Sequence, residues 1–217
     1  MDRVQETESG ASTALEMLRT MAEMQEAHNR QVHPDWRENE YEYYRAIWVE
    51  CAELLDHYGW KWWKKQNPDM AQVKLEIVDI WHFGLSDLLR AQALSDDCAQ
   101  LLASLDLAAD PDAAVFRASV ETLAQVSLTE RAFAIEPFAA VMASLPLSFA
   151  ELFELYVGKN VLNNFRQNHG YKTGEYLKVW SGREDNEHLM ELLRALECLP
   201  ENVPTELYAA LEARYPG

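Results

Sequence analysis

Glu76 and Asp79 stand three residues apart in "KLEIVDIWHFG" (74–84), where Leu75, Ile77, Val78, Ile80, Trp81 and Phe83 are apolar. "YYRAIWVECAELLDHYGW" (43–60) repeats the situation with Glu50 and Glu53. On a helix, residues three and four apart share a face. Glu50 and Glu53 therefore lie in one stripe with Tyr43, Ala46, Ile47, Leu54 and His57, and Glu76 and Asp79 in one with Val73, Ile80 and Phe83. Carboxylates seldom enter a core unless something pairs with them. The connection between the two segments is short enough for an antiparallel helix pair, which would face the acid pairs across one seam. Four carboxylates brought together repel, so they hold protons or a cation. An all-oxygen donor set selects a hard ion, Mg²⁺ first and Mn²⁺ as its substitute. A lone ExxE is ordinarily a solvated face. Two acid pairs embedded in apolar runs on consecutive helices point to metal.

A second constellation is basic. Lys159, Arg166, Lys172, Lys178 and Arg183 fall in a stretch where Glu175 is the one acid, interleaved with Asn160, Asn163, Asn164, Gln167 and Asn168. Lys159, Asn163 and Arg166 share a helical face, and a Lys and an Arg flanking an amide suit phosphate oxygens. Taken alone, this stretch also reads as a solvated helix face. Combined with a carboxylate-held Mg²⁺ it describes phosphoanhydride hydrolysis: metal on the phosphate oxygens, bases on the remaining charge, a carboxylate on the attacking water.

The elements that must position these residues are helical. The 217 residues suit one domain, and 48% hydrophobic content supports a sizeable core. Apolar spacing predicts helices over about 13–30, 41–58 and 70–93, then short amphipathic helices between 95 and 147. Ser95 and Asp96 mark an N-cap, and "SFAE" at 148–151 reads as a capping box for a helix that runs to His169, with Gly170 as its stop. Residues 172–187 read as loop with short ordered pieces, followed by helices near 187–197 and 205–213. The expected organisation is a flexible 1–12 and a single all-α domain over 13–217, with 96–147 a mobile or dimer-contact insert. Trp48, Trp62 and Trp81 are expected in the core, with Trp60 nearer a pocket.

Net charge is −17, from 36 acids against 19 bases, which argues against nucleic-acid binding. Cys51, Cys98 and Cys198 lie far apart with no CxxC, and no apolar run reaches membrane-spanning length. These features, with no signal-peptide pattern at the start, imply free thiols, no membrane association and a cytoplasmic location.

The blocks "ECAELLDHYGWKWWKK", "EIVDIWHF" and "GKNVLNNFRQNHGYKTGEYLKVWSGREDN", with an upstream Gln-x-x-x-Asn, resemble the dimeric, all-α dUTP pyrophosphatases of the MazG-like nucleotide pyrophosphohydrolase group. The likeness covers about 15–30, 43–84 and 156–188. It implies a multi-helix bundle of the all-α NTP pyrophosphohydrolase type, acting as a homodimer that converts dUTP, and usually dUDP, to dUMP. By position it implies Glu50, Glu53, Glu76 and Asp79 as Mg²⁺ ligands. Lys159, Asn163, Arg166, Tyr171, Lys178 and Asn186 would hold phosphates and sugar. Gln25 and Asn29 would read uracil, with Trp60 and His82 walling the base. Glu50 is the expected catalytic base.

Three rivals remain at the level of sequence. A dCTP or broader nucleotide pyrophosphatase would use the same machinery. A carboxylate-bridged di-iron bundle would use the acid-x-x-His step Asp79–His82, although no paired second step is evident and the basic stretch would go unused. A non-catalytic helical interaction protein would bind no nucleotide.

Overall fold

The computed structural model describes residues 2–197 and 202–216, so Cys198 lies outside the described residues. The chain divides into two compact units, Met1–Phe153 and Glu154–Gly217. Among the described residues the fold is all-α apart from one two-stranded hairpin.

The first unit contains α1 (Asp2–Val32), α2 (Tyr43–Tyr58), α3 (Met70–Arg90), α4 (Asp96–Ala103), α5 (Ala113–Glu130) and α6 (Ile135–Ser144). α7 (Phe149–Asn168) begins here and continues into the second unit. α3 is the axis of the first unit. Val73, Leu75, Ile77, Val78, Ile80, Trp81 and Leu85 are fully buried, so apolar side chains surround it on nearly every side. Asp69 caps its first turn, accepting the Gln72 N–H at 3.2 Å. α2 packs on α3 and α5, and α1 on α3 and α4.

The pairings fix the helix directions. Tyr43 at the start of α2 meets Ser86, Asp87 and Arg90 at the end of α3, while the His57 carbonyl accepts the Asp69 N–H. α2 and α3 are therefore antiparallel. Gln25 meets His82 and Asn29 meets Ser86, so α1 runs parallel to α3.

Residues 96–147 contribute α4, α5 and α6, whose Phe116, Val120, Leu123, Phe138, Val141 and Met142 are fully buried. Phe138 stacks on Trp81, ring centroids 5.3 Å apart, and Phe133 meets the edge of the same indole at 6.0 Å. The Phe133 ring lies against Gly84, where an added Cβ would sit 2.6 Å from it. The Phe133 N–H also donates to buried Asp87 at 2.9 Å, and Arg90 pairs with the other oxygen of that carboxylate at 2.7 Å. Glycine at 84 is what lets the segment before α6 close onto α3.

Two tryptophans depart from expectation. Trp81 is core, but Trp62 is 90% exposed and Trp48 is 37% exposed. The buried stripe of α2 is Ile47, Cys51 and Leu54, and Trp48 lies one position off it. Trp62 lies in the connection between α2 and α3, edge-on to Trp63. Cys51 and Cys98 are buried free thiols. At α7 the Ser148 hydroxyl accepts the Glu151 N–H at 3.2 Å, while the Glu151 carboxylate pairs with Lys74. Among the described residues no single helix is long and apolar enough to cross a membrane.

The second unit takes the remainder of α7, a 3₁₀ turn at Tyr171–Thr173, the hairpin β1 (Val179–Trp180) and β2 (Arg183–Glu184), α8 (Asp185–Ala195) and α9 (Val203–Arg214). α7 stops before Gly170, whose φ of +82° takes the chain out of the helix at little steric cost. Leu162, Phe165, Trp180, Leu189, Leu207 and Leu211 form the core of this unit. A reciprocal capping box between Glu184 and Glu187 starts α8.

Gly84→Ala forces the Phe133 ring to move in a filled core. Urea denaturation of that variant is expected to show a loss of roughly 1–3 kcal/mol, the usual cost of overpacking.

Candidate functional site

In the first unit, α2 and α3 bring Glu50, Glu76 and Asp79 together. One carboxylate oxygen from each lies within 4.8 Å of the others. Glu76 is buried, and Glu50 and Asp79 are half-buried. Their positions follow from the antiparallel crossing, which sets the middle of α2 against the middle of α3. Burial pushes the Glu50 carboxyl up to about 9, reinforced by the charge of Asp79, by a hydrogen bond with Glu76 and by the charges of Glu76 and Glu53. Without a cation Glu50 therefore keeps a proton at neutral pH and is hydrogen-bonded to Glu76 across the seam. Glu53 is exposed and outside the 4.8 Å group, and reaches Glu50 through its charge.

His57 joins this cluster from the last turn of α2, its Nε2 3.5 Å from the Glu76 carboxylate. Sequence spacing placed His57 on the acid face but gave it no role, since its partner lies on another helix. Three convergent, partly buried carboxylates form an oxygen-only donor set that fits a hard divalent cation.

α1 and α3 enclose a second polar group. Gln25, Asn29, His82 and Ser86 are all buried, the most exposed of them at 8%. Gln25 Nε2 donates to Asn29 Oδ1 and to Ser86 Oγ, both at 3.0 Å. Asn29 Nδ2 donates to Ser86 Oγ at 3.0 Å, and Gln25 Oε1 meets His82 Nδ1 at 2.7 Å. His82 thus turns to the amides and is not among the three residues that converge within 4.8 Å. Trp60 is not part of this network. It is 45% exposed, its indole N–H donates to Asp56 at 3.0 Å, and its main-chain N–H donates to Gln66.

In the second unit, α7 and α8 assemble a cationic group. Lys159 is 1% exposed and its Nζ donates to Asn186 Oδ1 at 3.0 Å. Arg166 grips Asp185 with two parallel bonds, Nε to Oδ2 at 2.8 Å and Nη2 to Oδ1 at 2.9 Å. Its Nη1 donates to Asn163 at 3.1 Å and its Nη2 to Asn186 at 3.4 Å. Burial opposes charge on Asp185, but the bonds and charge of Arg166, the Tyr176 hydroxyl at 2.9 Å and the charge of Lys159 outweigh it, holding the carboxyl below its ordinary range. Lys159, Asn163, Arg166 and Asn186 come together here, whereas Tyr171 and Lys178 are exposed at its margin, Lys178 Nζ 3.6 Å from Glu184. Asp185 and Tyr176, which orient Arg166, carried no signal in the sequence.

The unusual Glu50 carboxyl makes stability depend on pH. The folded chain keeps a proton that the unfolded chain releases above the ordinary value of 4.5. In protein stripped of divalent cations the contribution of Glu50 to stability is therefore complete below that value and declines as pH rises toward about 9. Thermal denaturation across this range is expected to show the decline, with Glu50→Gln or saturating Mg²⁺ flattening it.

A family model described as dUTPase matches residues 17–171, well over half of the chain. Comparison with curated proteins gives no match.

Proposed function

The chain belongs to the dUTPase family and hydrolyses dUTP as a dUTP diphosphatase, and on that premise we propose how its residues divide the work. The observation that carries the proposal is the convergence of Glu50, Glu76 and Asp79 within 4.8 Å in the middle of the α2–α3 pair. These three, with Glu53 beside them, hold Mg²⁺, for which Mn²⁺ can substitute. Bound there, a divalent cation supplies Lewis acidity at phosphate oxygens and acidifies water.

Glu50 is the general base. Without a cation, burial and the neighbouring acids push its carboxyl up to about 9, and a cation bound beside it would draw that value down toward the working pH, where a base is most effective. His57, 3.5 Å from Glu76, orients that carboxylate. Lys159, Asn163, Arg166, Tyr171, Lys178 and Asn186 take the phosphates and the sugar. Asp185 presents Arg166 as a fixed fork, which suits charge that develops on a leaving phosphate.

Gln25 and Asn29 read the uracil edge, with His82 and Trp60 at the base. Uracil offers an N–H donor and carbonyl acceptors, and a side-chain amide offers the complementary pair. Cytosine exchanges donor for acceptor and would leave buried groups unpaired, a larger penalty than the added methyl of thymine in an apolar wall. dUDP shares the base, sugar and α,β-phosphates, and the same residues act on it. We place the enzyme in the cytoplasm as a homodimer. The family resemblance supports the dimer, and the two buried free thiols fit a reducing compartment.

Release of pyrophosphate from dUTP tests this reading. Turnover is expected with Mg²⁺ and abolished by chelator. Glu50→Gln is expected to reduce it by roughly 10²-fold or more, the scale of a positioned base. Near-wild-type turnover in Glu50→Gln removes Glu50 from the role of base, and undiminished turnover in chelator removes the metal.

A further inference from the structure

Ser86 is 1% exposed, sits within α3, and is bonded to every other member of the buried polar group that spans α1 and α3. A serine hydroxyl has one proton to give and two lone pairs to receive with. Ser86 donates to the His82 main-chain carbonyl one turn back, at 2.9 Å. Asn29 Oδ1 is a farther acceptor at 3.4 Å, and the Tyr43 hydroxyl on α2 also bonds to Ser86. With its proton given to the carbonyl, the Ser86 oxygen accepts from Gln25 Nε2 and Asn29 Nδ2, each at 3.0 Å.

This determines which way both amides face. Turning either one over would set a carbonyl oxygen against the Ser86 lone pairs inside a buried site, where an unmade hydrogen bond is costly. Gln25 Nε2 is held doubly, by Ser86 and by Asn29 Oδ1 at 3.0 Å. Gln25 Oε1 is thereby directed at His82 Nδ1, 2.7 Å away. An oxygen that only accepts requires Nδ1 to carry the proton, so a neutral His82 presents Nε2 as an acceptor. One hydroxyl thus sets the orientation of two amides and the tautomer of one imidazole.

We propose that Ser86 is the positioning residue for base selection: by accepting from Gln25 and Asn29 while donating to the His82 carbonyl, it fixes the donor and acceptor pattern that these three side chains offer to a pyrimidine. Ser86 does not touch the base. Its effect is on which base is preferred, since uracil and cytosine differ by the exchange of donors and acceptors that an overturned amide would match. The inference rests on the reading of Gln25 and Asn29 as the residues that meet the base.

The test is the ratio of kcat/KM for dUTP to that for dCTP, measured with Mg²⁺ for Ser86→Ala, Ser86→Thr, Ser86→Cys, Gln25→Ala and Asn29→Ala. Ser86→Ala is expected to lower the ratio on the order of tenfold or more, chiefly through a higher KM for dUTP. Ser86→Thr, which keeps the hydroxyl, is expected to restore it. Ser86→Cys, close in size but a weak hydrogen-bonding group, gives the same reading as the alanine variant should that one fail to fold. A ratio unchanged in Ser86→Ala while Gln25→Ala or Asn29→Ala lowers it overturns the role of Ser86 and leaves the amide reading standing. A ratio unchanged in all of these variants overturns the amide reading and the inference with it. Parallel loss of both activities with a lowered melting temperature and no change in ratio makes Ser86 structural only, which also overturns the proposal.

Discussion

Repulsion among three carboxylates on two packed helices is the constraint around which the first unit is arranged. Glu50, Glu76 and Asp79 reach within 4.8 Å of one another, and burial forces a proton onto Glu50. Two helices carrying such charges on facing surfaces would separate unless stronger attractions held them. α3 supplies these through its fully buried apolar residues, each worth roughly 1.5–3 kcal/mol on burial of a large side chain. Ile47, Cys51 and Leu54 on α2 lie in the same stripe as the acids and hold the crossing where the carboxylates meet. The hydrophobic packing therefore maintains an electrostatically unfavourable arrangement, and a divalent cation would turn that cost into affinity.

The same helix presents two chemistries. Glu76 and Asp79 meet Glu50 of α2, whereas His82 and Ser86 are hydrogen-bonded to the side-chain amides of Gln25 and Asn29 on α1. α3 can do this because it is buried nearly all round, so each face can be dedicated to a different neighbour. The second unit solves a related problem with one charge of each sign. Asp185 is fully buried, and two bonds from Arg166 and one from Tyr176 keep it ionised. The guanidinium is thereby locked in one orientation.

Much of this arrangement was legible in the sequence because it depends on periodicity. The helices at 43–58 and 70–90 follow from the spacing of Ile47, Cys51 and Leu54 and from the long apolar run around Trp81. Acids within those stripes announced the carboxylate cluster for the same reason. What depends on a partner distant in sequence was not legible. Ser86 reads as an ordinary helix residue until Gln25 and Asn29 are set beside it, and His57 gains its partner when the α2–α3 crossing sets it beside Glu76. Asp185 is one acid in "REDNE" until Arg166 meets it. The hairpin at 179–184 has strands too short to show alternation. Trp62 was misplaced because a hydrophobic side chain in a turn has no stripe to test it against, and it lies exposed in the connection after α2.

The most direct test of the central claim is anomalous diffraction from crystals of the protein grown with Mn²⁺. A carboxylate-held cation predicts a peak bonded to oxygens of Glu50, Glu76 and Asp79 at about 2.0–2.3 Å, the range for hard divalent ions on oxygen. A peak located elsewhere, or none at saturating Mn²⁺, would contradict the assignment of these three carboxylates as the metal site.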